Sequence, residues 1–408
     1  MLNRVWLALF GAAFLAMLWQ LFSGQTQVVN AMVDSLFAMA KLSVDIALGL
    51  IGVMALWLGL MKVAERAGLI QQLSRLLNPV FRRLMPEVPA GHPAQGSVTM
   101  NLVANALGLD NAATPLGIKA MEDLHSLNRH KDRASNAQIL FLVLNTSSVT
   151  LLPVVIFLYR AQQGAAQPAE VFLPILLATS ASTLAGLLAV ALVQRIRLWD
   201  GALLLALGVL MGLVAALAWW TLGVSAELMN LRLSLLGNGA ILAILGCFLA
   251  VAAWRKVAVY EVFVDGAREG FTTAVRIIPY LLAMLAAIGL LRASGALDLL
   301  VGAIGQLVAW LGLDARFVDA LPTGLMKPFS GSASRALMLE TMNHHGVDSF
   351  AGRLSAVMQG STETTFYVLA VYFGAVGIKH SRHAVPCALA ADLAGIGAAI
   401  AVCYLYFG

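Results

Sequence analysis

Residues 358–373 read MQGSTETTFYVLAVYF, and this stretch decides the fold of the chain. Its second half is apolar enough to lie in hydrocarbon. Its first half carries glutamine, serine, threonines and a glutamate where a lipid-facing helix has leucine. An ionised carboxylate at the centre of a membrane helix costs about 2.5–3.5 kcal/mol even on the most lenient insertion scale. The stretch therefore predicts a membrane-spanning segment that is interrupted at its polar half.

The composition of the whole chain agrees with a membrane protein. Of its 408 residues 60% are hydrophobic and 12% are charged, whereas a soluble domain has about 25% charged residues. The net charge of +5 does not indicate nucleic-acid binding, because the basic residues are concentrated in the loops on one predicted side of the membrane. The cysteines lie in apolar runs without paired spacing, so neither a disulfide framework nor a metal site is expected.

A membrane helix needs about 20 mostly apolar residues, and this length predicts nine spans. The first is interpreted as a retained helix, because no small-x-small cleavage site follows it. Two more segments, 97–121 and 319–341, are too polar and too broken by Gly and Pro to cross alone, and each is predicted to be a re-entrant hairpin. The spans lie near 5–22, 42–62, 137–159, 171–193, 201–222, 235–254, 274–292, 354–377 and 384–407.

Four amphipathic segments, near 28–41, 70–85, 256–271 and 297–312, are predicted to lie in the membrane interface. With the N-terminus inside, 18 Lys and Arg residues fall on the cytoplasmic side and 8 outside. This bias favours a cytoplasmic N-terminus and an external C-terminus in a bacterial inner membrane.

The chain contains an internal repeat, with an offset of 214 residues at the interrupted spans and of 209 residues at the motifs downstream of them. NTSSVTLL at 145–152 aligns with QGSTETTF at 359–366, and TLAG at 183–186 aligns with DLAG at 392–395. The two halves begin five predicted crossings apart, so they are inverted relative to each other. Inverted repeats with discontinuous helices are typical of secondary transporters, whose sites lie near the membrane midplane. The predicted domains are an N-terminal helix (1–27), a first repeat (28–200), two linking helices (201–255) and a second repeat (256–408).

The polar residues of the hairpins and interrupted spans are the candidate ligands for a small polar solute or cation. Glu363 and Asp392 are the candidate coupling residues, since each is an acid within an apolar run. The structural alternatives stay open: a carboxylate hydrogen-bonded to unwound backbone, and hydroxyls bonded back to their own helix. The candidate binding residues are Asn101, Asn105, Asn111, Thr114, Asn145, Ser147, Ser148, Thr150, Ser330, Ser332, Ser334, Gln359, Ser361, Thr362, Glu363 and Thr364.

Several motifs resemble known families. NLVANALGLDNAATPLGIKAMEDL and ASNAQILFLVLNTSSVTLLPV look like spore maturation A proteins. LMKPFSGSASRALMLETM and QGSTETTFYVLAVYFGAVGIK look like spore maturation B proteins. The chain thus resembles a fusion of the two, within the nucleoside-recognition, or Gate, family. This resemblance implies a Gate-type membrane fold and a transport-like or channel-like activity, and the homodimers of Gate relatives imply a homo-oligomer.

The sequence as a whole predicts an all-α polytopic membrane protein with two inverted Gate-type repeats. The expected function is ion- or proton-coupled secondary transport of a small polar solute. A non-transporting scaffold or sensor and an ion channel are the alternatives. No catalytic, metal-binding or phosphate-cradling motif is present, so neither an enzyme nor a cofactor is expected, and the lipid bilayer is the expected environment.

Overall fold

The chain is all-α. The computed structural model describes residues 2–107, 110–151, 153–196, 200–222, 224 and 226–408, and these contain seventeen α-helices, two short 3-10 turns and no β-strand. The helices are α1 (Leu2–Phe22), α2 (Gln27–Arg66), α3 (Leu69–Leu84), α4 (Pro93–Ala106), α5 (Asp110–Ser126), α6 (Asn136–Thr146), α7 (Val154–Gln162), α8 (Phe172–Gln194), α9 (Gly201–Thr221), α10 (Ala226–Trp254), α11 (Val259–Ala293), α12 (Ala296–Trp310), α13 (Leu321–Met326), α14 (Gly331–His345), α15 (Phe350–Ser361), α16 (Thr365–Ala375) and α17 (Ala384–Phe407).

The helices are long and apolar enough for a membrane protein. Among the described residues, Pro168–Gln194, Glu227–Trp254 and Ala384–Phe407 each meet the length and hydropathy of a span, and bent helix pairs raise the number to five. Two of the predicted spans are each split into a pair of shorter helices, α6 with α7 and α15 with α16. The prediction of nine spans and two re-entrant hairpins therefore stays a prediction.

Two predicted boundaries differ from the structure. Segment 256–271, predicted to be a separate interfacial helix, runs without a break into the span predicted at 274–292, both in α11, because residues 272 and 273 between them are neither Gly nor Pro. Segment 28–41 was expected as a separate interfacial helix, but it is continuous with the next span in α2. No Gly or Pro occurs between residues 27 and 48, so nothing ends the helix there. The change of direction comes later, as a 41° bend between Gln27–Gly49 and Ile51–Arg66.

The helices form two compact units that interleave along the chain. The first comprises Met1–Gly59, Val155–Pro168 and Val264–Gln359. Within it α1 packs on α12 and α13 packs on α14. Its buried side chains include Ile288 on α11, Met338 on α14 and Val357 on α15.

The second unit comprises Leu60–Val154, Ala169–Phe263 and Gly360–Gly408. Its most extensive helix packing joins α8 to α17, and α6 lies against both. Its hydrophobic core takes side chains from α4, α5, α6, α16 and α17, with Phe141 stacked on Tyr372 at 5.7 Å between ring centroids. Both breaks in the interrupted spans lie in this unit.

Candidate functional site

Helix α6 leads into the first break and begins at a well-defined cap. Ser135 Oγ accepts a hydrogen bond from Gln138 N, and Gln138 Oε1 accepts one from Ser135 N, which makes a capping box. Every side chain from Ala137 to Thr146 is buried. The helix therefore runs through protein along its length, as expected of a segment that carries polar groups into a membrane interior.

The hydroxyls at the end of α6 bond to their own helix. Thr146 Oγ1 and Ser147 Oγ both donate to Val143 O, at 3.0 and 2.8 Å. These bonds satisfy a carbonyl in the last turn of the helix. For Thr146 and Ser147 the structure shows the alternative named above, a hydroxyl bonded back to its own helix.

The two breaks meet at a backbone hydrogen bond. Between α15 and α16 residues 362–364 leave the helical conformation, with Thr364 at the N-cap of α16. Glu363 N donates to Thr146 O at 2.8 Å. The orphan carbonyl at the end of one broken helix is thus satisfied by the non-helical backbone of the other.

The repeated TLAG and DLAG motifs lie on α8 and α17 against these breaks. Thr183 donates its hydroxyl proton to Ser147 O at the first break. Asp392 Oδ2 accepts from Thr365 Oγ1 at 2.7 Å at the second. The first residue of each matched motif therefore forms a hydrogen bond at the corresponding break, Thr183 as the donor and Asp392 as the acceptor.

The final glycines of these motifs allow close approach. A Cβ on Gly186 would lie 3.0 Å from Ser147 Oγ. A Cβ on Gly395 would lie 2.7 Å from Thr362 Cγ2 and 3.0 Å from Ser182 Cβ. Both breaks are thus packed tightly against the motif helix that follows them.

An asparagine cluster joins the first break to α4. Asn105 Nδ2 donates to Asn145 Oδ1 at 2.6 Å, and Tyr372 OH approaches the same oxygen at 3.3 Å. Asn101 Nδ2 donates to Ala113 O at 2.7 Å, which ties α4 to α5. A Cβ on Gly117 would collide with the Tyr372 ring, so glycine is required there. Asn101 and Asn145 are buried and Asn105 is partly buried, and the amides are satisfied by one another, by Tyr372 and by backbone carbonyls.

The candidate residues divide between the two units. Those of the first hairpin and of both breaks lie in the second unit, where Asn101, Asn145, Ser147, Ser148, Ser361, Thr362 and Thr364 are buried, Asn105, Thr114 and Thr150 are partly buried, and Glu363 is exposed. The side chain of Asn111 lies outside the described residues. Ser330, Ser332, Ser334 and Gln359 belong to the first unit.

In the first unit the serines form a local cluster. Ser330 is the N-cap of α14 and accepts from Ala333 N at 3.2 Å, and it lies 3.2 Å from Ser332 Oγ. Ser334 Oγ lies 2.7 Å from Thr323 O and 2.5 Å from Gln359 Oε1. One hydroxyl proton serves one acceptor, so the Gln359 amide is best oriented with its nitrogen toward Ser334.

Two further residues were missed from the sequence. Tyr372 reads as an ordinary apolar position, yet its hydroxyl enters the asparagine cluster. Arg160 is one of the eight basic residues predicted to lie outside, yet it is fully buried and donates to Asp348, Val347 O and Pro168 O. Neither residue carries a local signal, because the partners of each are remote along the chain or lie in a different helix.

The N-terminal end of α6 predicts a pH dependence of stability. Gln138 Oε1 accepts two hydrogen bonds, so its Nε2 donates to His125 Nδ1 at 3.3 Å. Gln194 Nε2 lies 3.0 Å from His383 Nε2. Both rings must therefore be neutral acceptors. Burial, with Lys131 and Arg382 nearby, lowers the pKa of His125 and of His383 below the ordinary 6.5.

Because the folded protein binds fewer protons, its stability rises with pH below 6.5 and is lost on acidification toward the folded pKa values. We expect the melting temperature to fall between about pH 7.5 and pH 5.5, and to fall less in a His125→Gln/His383→Gln variant. A variant with the full pH dependence of the parent would contradict this assignment.

Comparison with known proteins places the chain in a family. A family model described as nucleoside recognition (Gate) matches residues 47–162 and 274–379, more than half of the chain. The chain is 40% identical over 179 residues to spore maturation protein A of Bacillus subtilis (strain 168), covering 44% of this chain and 88% of that protein. It is 46% identical over 154 residues to spore maturation protein B of the same organism, covering 38% of this chain and 85% of that protein. These matches confirm the resemblance found in the motifs, and the chain belongs to the Gate nucleoside-recognition family.

Proposed function

We propose that this membrane protein is an ion- or proton-coupled secondary transporter of a small polar solute, with its polar site where the two helix breaks meet within the second unit. The observation that carries this proposal is the hydrogen bond from Glu363 N to Thr146 O. It joins two discontinuous helices at matched positions of an internal repeat, which is the arrangement typical of transporter binding sites.

The chemistry of the breaks suits a ligand that accepts and donates hydrogen bonds. In hydrocarbon, non-helical backbone is tolerated only where protein or water surrounds it. Thr362 Oγ1 is buried and has no hydrogen-bond partner in the described part of the chain. Glu363, next to it, has an exposed side chain. A hydroxyl with unused hydrogen-bonding capacity beside an accessible carboxylate would hold a cation or a protonated solute.

The proposed topology places the N-terminus in the cytoplasm and the C-terminus outside, in a bacterial inner membrane. The charge bias assigns residues 122–135 and the loop near 378–383 to the cytoplasmic side. Within the second unit these loops touch: Asp132 O accepts from Lys379 N at 2.8 Å and from His380 N at 3.0 Å. Contact between these two loops supports their placement on the same side of the membrane, and the charge bias assigns that side to the cytoplasm.

A scaffold without transport is the second candidate, and a specific observation favours it. The asparagine cluster satisfies its buried amides internally, with Asn145 bonded to Asn105, Tyr372 and Phe141 O. A protein that only assembles with envelope partners would keep its polar groups in this state. We treat channel activity and a homodimer as further proposals, and we propose no enzymatic activity.

The decisive variant is Glu363→Gln, which removes the charge and keeps the shape. We expect a cation or solute in a panel of nucleosides, organic acids, amino acids and metal cations to raise the melting temperature of the parent in detergent, because ligands stabilise the folded state that binds them. The shift should shrink in Glu363→Gln and should depend on pH.

Glu261→Gln is the matched control, since Glu261 is an exposed carboxylate outside the site. It should respond to every ligand as the parent does. Uptake into proteoliposomes of the stabilising solute, driven by an imposed proton or sodium gradient, then separates transport from binding alone. A panel without any stabilising ligand, and without uptake, would favour the scaffold.

A further inference from the structure

A cavity of about 680 Å³ lies in the second unit at the start of α6. Residues 127–130 and 133–136 form most of its wall, with Glu87 after α3 and Arg382 before α17. Arg382 Nη1 donates to Ala134 O at 3.0 Å, and Ala134 N donates to His380 O at 3.0 Å. Segments far apart in sequence are thus fastened together around the cavity, which is far from the breaks at the other end of α6.

The lining is strongly basic. Arg129, Arg133 and Arg382 line it together with His130, and Glu87 is the one acidic residue among the lining residues. Neither Arg129 nor Arg133 forms an ion pair with a described residue, and both are exposed. Three positive charges around one recess repel each other, so an anion bound there would be stabilised by all of them.

An unused acceptor lies in the same wall. Asn136 Nδ2 donates to Glu87 Oε1 at 2.9 Å, which directs the amide. Asn136 Oδ1 is buried without a hydrogen-bond partner among the described residues. A ligand with hydroxyl groups as well as an anionic group would satisfy this oxygen once the Asn136 amide turns toward the cavity, since the oxygen has almost no exposed surface in the structure. The N-terminal end of α6, where Ser135 and Asn136 line the cavity, adds the positive end of the helix dipole.

We propose that this arginine-lined cavity binds a phosphate group carried by a larger, hydroxyl-bearing molecule. Arginine matches phosphate oxygens in pairs through its planar fork, and three arginines suit a group with several anionic oxygens. The volume is within the range of about 300–1,000 Å³ that holds an organic ligand rather than a bare ion. Both a soluble phosphate ester and a glycerol-bearing phospholipid headgroup present this chemistry.

The test compares two double variants of the full-length protein that lose the same charge. Arg129→Gln/Arg133→Gln removes two guanidiniums from the cavity. Arg75→Gln/Arg255→Gln removes two exposed guanidiniums that do not line it. Glycerol 3-phosphate and inorganic phosphate, titrated in neutral detergent at constant ionic strength, form the soluble arm. Nanodiscs of phosphatidylcholine with or without phosphatidylglycerol form the lipid arm, with melting temperature as the readout in both.

We expect the cavity variant to bind at least about tenfold more weakly, the loss of one strong charge-assisted contact, while the control variant binds as the parent does. If the cavity variant binds more weakly only in the soluble arm, the ligand is a phosphate ester. If it binds more weakly only to nanodiscs with phosphatidylglycerol, the ligand is a lipid headgroup.

Glu87→Gln gives a second test, in which the proposal predicts tighter binding of the ligand and not weaker binding. Glutamine keeps a carbonyl oxygen for Asn136 Nδ2 and removes the one acidic group from the wall, so binding should tighten. Equal responses of the two double variants in both arms, with unchanged affinity in Glu87→Gln, would overturn the proposal.

Discussion

Arg160→Met is expected to lower the free energy of unfolding by about 3 kcal/mol, the largest effect predicted here for one side chain. Arg160 is fully buried in the first unit. Its guanidinium donates to Asp348 Oδ1 at 3.0 Å, to Val347 O at 3.0 Å and to Pro168 O at 3.2 Å. Methionine fills similar space but leaves these acceptors unpaired. Asp348 is partly accessible to water, so the cost should lie at the low end for a broken buried pair.

Arg268→Met is the matched control for this change. Arg268 is on α11 in the same unit, is largely exposed and lies 3.7 Å from its partner Asp265. A pair of this kind contributes between about 0 and 1 kcal/mol, so the control should melt near the parent. Arg160→Lys should be intermediate, because lysine lacks the fork that reaches several acceptors. Equal stability of Arg160→Met and Arg268→Met, measured by thermal unfolding in the same detergent, would contradict the assignment.

Asn145→Leu is expected to destabilise the second unit by about 2 kcal/mol or more, since it strands buried donors that cost about 1–3 kcal/mol each. Asn145 accepts from Asn105 Nδ2 and Tyr372 OH and donates to Phe141 O at 3.1 Å. Leucine matches the volume but offers no acceptor. The measurement is thermal unfolding in the absence of any ligand, so that a loss of binding is not counted as a loss of stability.

The control and a second variant separate lost hydrogen bonds from changed packing. Asn238→Leu makes the same chemical change at an exposed position of α10, where the amide donates only to Ser234 Oγ at 3.2 Å, and should have little effect. In the double variant Asn145→Leu/Tyr372→Phe no tyrosine hydroxyl is left without a partner. Its loss of stability should therefore be smaller than the sum of the losses in the two single variants. Strict additivity would show that the Tyr372 contact contributes nothing.

The amino-acid sequence by itself determined the class of protein and the places where its spans are interrupted. Hydropathy is a sum over neighbouring residues, so the apolar runs predicted an all-α membrane protein. Polar residues at 145–150 and 359–364 predicted where two helices break, and the helices end at Thr146 and Ser361. The TLAG and DLAG match was also readable, because it depends on order along the chain and not on contacts.

Only the tertiary structure decided which polar groups meet. The bond between Glu363 N and Thr146 O, the ion pair of Arg160 with Asp348 and the grouping of Arg382 with Arg129 and Arg133 each join residues about 200 or more positions apart. The structure also assigned the serines of the second predicted hairpin to a different compact unit from the breaks. Such pairings depend on how whole helices pack, and no local sequence pattern encodes them. The residues next to an arginine in the sequence are the same whether packing buries it against a distant partner or leaves it in solvent.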